Sequence, residues 1–163
     1  MRYIRNIFQL FFKRIVDKLF KKDSSFTDIN FITEKANWSI KWDGIYLRKY
    51  INRITTEQVL DISNIPRVNS KNRVLHFGSQ YMWVNWEKSL PKNNKFIVSF
   101  FHGKHEDGEG ARNHIDEFLK TQNSIFKVIT ASSLIYERLK RWGLPNSKLT
   151  CIPIGVDTKL FSQ

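Results

Sequence analysis

The sequence predicts an α/β protein: a Rossmann-like parallel sheet with helices on both faces, preceded by a basic amphipathic helix. Three observations predict it. Short runs rich in β-branched and aromatic residues alternate with stretches of helical periodicity along most of the chain. The apolar run at residues 96–101 reads as a strand buried on both faces. Residues 125–157 read as strand, helix and strand, the unit that makes a right-handed parallel crossover. At 163 residues the chain has room for one domain around one core. The expected division is an amphipathic helix at 1–22, a polar connector at 23–30 and the α/β domain at 31–163.

In residues 1–22, Ile4, Ile7, Phe8, Phe11, Ile15 and Leu19 recur at i, i+3, i+4 and i+7, and Phe12, Val16 and Phe20 widen the apolar face. Seven basic side chains against Asp17 give this segment +6 of the chain's net +12. Charges interrupt it well before ~20 apolar residues accumulate, so it is not a membrane span. Its apolar core is short and no small-residue cleavage site follows, so it is not a signal peptide. Large apolar residues beside Lys and Arg suit an anionic membrane surface, where each basic group contributes about 1 kcal/mol. Arg5, Phe8, Phe11, Phe12, Lys13 and Arg14 are the candidate membrane contacts. A helix packed on its own domain, or on a second domain, is the other reading. No nucleic-acid motif accompanies the charge, and no nucleic-acid partner is expected.

Beyond the connector, residues 37–42 alternate weakly and read as the first strand. Asp43-Gly44 reads as a turn into a helix at 45–54. A strand follows at 58–63, then a loop around Pro66 and a strand at 73–77. After the 96–101 strand come a helix at 111–119 and a strand at 125–130. Ser132 and Ser133 are N-cap candidates for the next helix, with Leu134, Ile135 and Leu139 apolar and Glu137, Arg138, Lys140 and Arg141 polar. Gly143 stops that helix at a C′ position, and Pro145 prevents its resumption. A last strand at 149–154 ends in the turn Gly155-Val156-Asp157. The single cysteine, Cys151, excludes an intramolecular disulfide and reads as a small core residue of that strand. There are no internal repeats.

Parallel sheets of this kind bind ligands beyond the carboxyl ends of their strands, and three turns qualify. Gly78-Ser79, followed by Tyr81, Trp83 and Trp86, offers backbone amides to a sugar or phosphate and aromatics to sugar faces; a turn glycine with core aromatics is the alternative. His102-Gly103 directly follow an apolar strand, where an imidazole would orient a hydroxyl or accept its proton near pH 7. The same loop holds His105, Glu106 and Asp107, with His114 nearby, but lacks the spacing of a helical H-E-x-x-H site. A solvated polar loop, without metal, is expected. Ala131-Ser132-Ser133 opens a helix whose amides would face a donor phosphate, although capping alone explains both serines.

Val128-Ile129-Thr130, Ser132, Gly143, Pro145, Ile152-Pro153, Gly155-Val156-Asp157 and Phe161 resemble the closing strand–helix–strand of a known domain. It is the N-terminal, acceptor-side domain of GT-B glycosyltransferases, in the retaining, nucleotide-sugar-dependent family (glycosyltransferase family 4, group 1-like) that builds bacterial polysaccharides and glycolipids. The close match spans residues 127–161. The family often has Asn where this chain has Ile154, and a glycine doublet where this chain has Gly78 alone. The resemblance implies transfer of a hexose from a nucleotide sugar to a glycan or lipid-linked acceptor. It implies that His102 lines the reaction centre and that Gly78, Ser79, Gly103 and Ser132 contact substrate. The nucleotide-sugar donor would be held by a second, C-terminal domain outside these residues, so the chain alone is expected to be inactive. No metal or resident cofactor is implied, and retaining enzymes of this type need no dedicated carboxylate nucleophile. The expected location is cytoplasmic, peripheral on the inner face of the membrane. The alternative reading is a non-catalytic, membrane-associated α/β binding module.

Overall fold

A computed structural model describes residues 2–19, 29–35, 39–54, 60–66, 73–101 and 109–153, with the backbone alone for residues 2, 3, 13–19, 52–54 and 109–112. Its regular elements are, in chain order, α1 (Arg2–Leu19), β1 (Ile29–Ile32), α2 (Ser39–Ile54), β2 (Leu60–Ser63), β3 (Val74–Phe77) and α3 (Gln80–Trp86). They continue with β4 (Lys95–Phe100), α4 (Glu109–Lys120), β5 (Lys127–Thr130), α5 (Ser133–Arg141) and β6 (Leu149–Cys151). The six strands form one sheet in the order β2-β1-β3-β4-β5-β6, and every neighbouring pair is parallel. The fold is therefore α/β and Rossmann-like.

Period-two alternation sorts the strand residues onto two faces. Ile32, Leu75, Phe77, Phe96, Val98, Phe100, Val128 and Leu149 share one core with Leu10 of α1, Met82, Trp83 and Trp86 of α3, Ile115 and Phe118 of α4, and Ile135 and Leu139 of α5. Trp83, fully buried, is oriented by its indole N–H, which donates to Thr121 Oγ1 at 2.6 Å. The other face carries Phe31, which packs under α2. Helices on both faces follow from right-handed crossovers that run one way from β1 to β2 and the other way from β3 to β6.

Two expectations about the first elements are corrected. Residues 39–42 are helical rather than a first strand, since α2 begins at Ser39 and residues 37 and 38 lie outside the described set, and Asp43-Gly44 is not a turn but lies inside that helix. Gly44 is there because a Cβ would sit 2.7 Å from Phe31 Cδ1, so only glycine lets the helix approach the strand this closely. The true first strand, Ile-Asn-Phe-Ile at 29–32, starts two residues inside the expected connector. Elsewhere the expected strands and helices recur with ends shifted by at most three residues; the last strand stops at Cys151, and residues 58, 59 and 154–157 lie outside the described set. Cys151 is half-buried and free. Among the described residues no helix is long and apolar enough to cross a membrane.

Candidate functional site at the carboxyl rim of the sheet

The strand order reverses direction between β1 and β3, and in doubly wound sheets the crevice at such a switch point receives the ligand. Here the two carboxyl ends are tied together: Gly78 N–H donates to Ile32 O at 2.9 Å and Thr33 N–H donates to Ser63 O at 2.9 Å. At the far edge Ile152 N–H donates to Thr130 O at 2.8 Å. These bonds carry the parallel ladder one residue past the ends of β1, β3 and β6.

Ser79 follows Gly78 as the N-cap of α3. It has extended backbone, its hydroxyl accepts from Met82 N–H at 3.2 Å, and the residue is buried. Gly78 is buried too, and a Cβ there would lie 2.5 Å from Ile40 Cγ2. Close packing against α2 and helix capping thus account for both residues. Of the aromatics that follow, Trp83 and Trp86 belong to the core, as the alternative reading has it. Tyr81 is different: it stands in the first turn of α3, partly exposed, with its ring stacked on that of His114 at 4.0 Å between centroids and 18° between planes. Gln80 Oε1 accepts from Phe101 N–H at 3.4 Å, which joins the end of β4 to α3.

His102 and Gly103 come next in the chain and, with the rest of 102–108, lie outside the described residues. Among the described residues no group of three or more His, Cys, Asp or Glu side chains is placed to hold a metal ion. Ser132 caps α5: its hydroxyl accepts from Leu134 N–H at 3.2 Å, and its carbonyl accepts from Thr130 Oγ1 at 3.3 Å. It is half-buried, so the α5 end of the rim stays open to solvent. Of the expected membrane contacts, Arg5, Phe8, Phe11 and Phe12 are all exposed on α1. Lys13 and Arg14 lie on the same helix, with only their backbone described.

Three groups of interest carry no motif. His76, in the middle of β3, meets Ser99 Oγ through Nε2 at 2.9 Å and packs edge-on against Phe31 at 4.8 Å. Burial pushes its pKa down to about 4, so the imidazole is neutral at pH 7. Histidine beside serine has the composition of a base and nucleophile, but Ser99 is buried within the sheet. The pair is a satisfied internal hydrogen bond. Tyr81 and His114 lie 33 positions apart in sequence, so only the α3–α4 packing brings them together. Trp42 and Asp43 sit near the start of α2, Trp42 exposed and the Asp43 carboxyl raised above its usual range by partial burial. The adjacent Ile40 packs at Gly78. Reading 37–42 as a strand hid that placement.

The rim therefore offers an aromatic–imidazole stack, a capped helix start with a half-exposed hydroxyl, and an exposed indole on the helix that meets the switch point. Each of these groups can stack on a sugar ring or hydrogen-bond a hydroxyl, and only Tyr81 and His114 are brought into contact with one another. No family model matches the chain, and no curated protein or solved structure matches it significantly.

Proposed function

We propose that the chain is the acceptor-side half of a retaining GT-B glycosyltransferase that moves a hexose from a nucleotide sugar to a glycan or lipid-linked acceptor in polysaccharide or glycolipid synthesis. The supporting observation is the coincidence of pattern and geometry in β5–α5–β6. Val128-Ile129-Thr130 form the strand, Ser132 caps the helix, Gly143 takes φ +97° behind it, and Pro145 precedes the short 3-10 turn that leads into β6. These are the positions that carry the resemblance. They make the last parallel crossover of the sheet, beside the open end of the rim.

In this reading the acceptor rests on the carboxyl rim against Tyr81, His114 and Ser132. His102, one residue beyond Phe101, orients the acceptor hydroxyl or takes its proton. The donor sugar arrives on a separate domain, and no resident cofactor takes part. Calorimetry tests this. The purified chain binds oligosaccharide or lipid-linked oligosaccharide acceptors, does not bind nucleotide sugars, and shows no transfer alone. Turnover by these 163 residues, or nucleotide-sugar binding without acceptor binding, contradicts the split between donor and acceptor halves. In a form that includes a donor domain, His102→Ala lowers turnover by roughly 10²–10⁴-fold with little change in thermal midpoint. A non-catalytic membrane-associated module is the second reading, favoured by the exposed aromatic face of α1; it predicts vesicle binding with no acceptor binding.

A further inference from the structure

Helix α1 turns its apolar face away from the protein. At about 100° per residue, Ile4, Ile7, Phe8, Phe11 and Phe12 fall within an arc of about 140°. All five are exposed, Phe8 at 68% and Phe12 at 60%. Among the described side chains of α1, those that meet the domain are Asn6 and Leu10, one turn apart and only 4% and 7% exposed. Their direction lies roughly 150° from the centre of the apolar arc. Asn6 Nδ2 donates to Asn85 O of α3 at 2.6 Å, and Leu10 enters the core that holds Trp83 and Trp86. Among its described side chains, the helix is seated by one amide and one leucine, while three phenylalanines and two isoleucines form an outward patch. Scattered surface apolar residues need no explanation; a patch of this composition does.

Charge selects the occupant. The 18 residues of α1 include Arg2, Arg5, Lys13, Arg14 and Lys18 against the single acid Asp17. A second copy docking through this face would bring two strongly cationic helices together across a two-fold axis, where like charges repel. An anionic lipid surface takes both features at once: acyl chains accept the aromatics and headgroups accept the cations. We propose that α1 is a membrane-docking helix that remains seated on α3 while it lays its Ile4–Phe12 face on an anionic bilayer. Binding then fixes the orientation of the domain. The sheet face covered by α3, α4 and α5 turns toward the lipid and the face covered by α2 turns away. The inference does not depend on the glycosyltransferase reading.

Co-sedimentation of the full chain with vesicles of phosphatidylcholine, with or without phosphatidylglycerol, tests the proposal. Wild type binds only the anionic vesicles, and more weakly as salt rises. F8S/F11S/F12S keeps the charge and the seat, so its thermal midpoint holds, but its affinity falls by at least about tenfold. If α1 had to leave the domain to reach lipid, weakening its seat would tighten binding, because a ligand favours the state it selects. The seated mode predicts that Leu10→Ala leaves vesicle affinity within about twofold of wild type while lowering the thermal midpoint. Unchanged binding by the triple variant overturns the lipid contact. Tighter binding by Leu10→Ala overturns the seated mode. A lipid-free dimer that the triple variant dissolves, without vesicle binding by wild type, assigns the patch to a second copy instead.

Discussion

A Cβ on Gly78 would lie 2.5 Å from Ile40 Cγ2 and 3.0 Å from two atoms of the Phe31 ring, whereas a Cβ on Gly143 would meet nothing within 4 Å. Gly143 is required by its backbone, at φ +97°. Gly78→Ala should therefore destabilise by overpacking, about 1–3 kcal/mol, and Gly143→Ala by left-handed strain alone, about 1 kcal/mol. Urea unfolding of the two variants checks both values. Equal stability of Gly78→Ala and wild type would show that the α2–β3 contact yields freely. In sequence the two glycines look alike. Gly143 was legible because its neighbours punctuate a helix end; the packing at Gly78 depends on Ile40 and Phe31, far away in the chain. His76 gives a pH prediction. The unfolded imidazole takes up its proton near 6.5 and the folded one only near 4. Between those values the unfolded state binds more protons, so stability falls as pH drops from 6.5 toward 4, by up to about 3 kcal/mol. His76→Gln, which retains a hydrogen-bonding group near Ser99, should remove that part of the pH dependence in urea midpoints. An unchanged profile would mean that the ring is solvated.

Among the elements, α5 was readable almost to the residue because both of its ends carry their own signals, Ser132 before and Gly143 and Pro145 after, while the flanking strands are two to three residues shorter than expected. β1 and α2 were not. Ile-Asn-Phe-Ile is a four-residue strand beside polar chain, and Asp43-Gly44 has the composition of a turn, although tertiary packing against Phe31 is what requires the glycine. α1 was legible as an amphipathic helix, but the face that seats it on the domain was not. Its periodicity marks the phenylalanines, while among its described side chains those that seat it are Asn6 and Leu10. The caps give a prediction at this scale. Ser132→Ala and Ser79→Ala should each cost about 1 kcal/mol in urea unfolding. Ser79→Ala should stop there. Ser132→Ala should also weaken acceptor binding, because its hydroxyl is half-exposed at the rim and Ser79 is buried. Equal acceptor affinity in the two variants would reduce Ser132 to a cap.

At the scale of the whole molecule, the parallel sheet followed from the alternation of strands and helices, but the strand order did not. The reversal between β1 and β3 is set by which way each crossover turns, and short strands carry no record of their neighbours. That reversal lies at the carboxyl rim, as does the β5–α5 turn on which the proposed function rests. The central claim is that this edge holds an acceptor sugar. Its most direct test is residue-resolved: a titration of the ¹⁵N-labelled chain with a lipid-linked or free oligosaccharide acceptor, followed by amide NMR. Saturable shifts confined to the carboxyl rim, at residues 78–81, 114 and 131–133, are expected, with no comparable response to a nucleotide sugar. Shifts centred on the opposite, amino-terminal edge near Lys95 and Lys127, or a rim that responds to the nucleotide sugar and not to the acceptor, would contradict it.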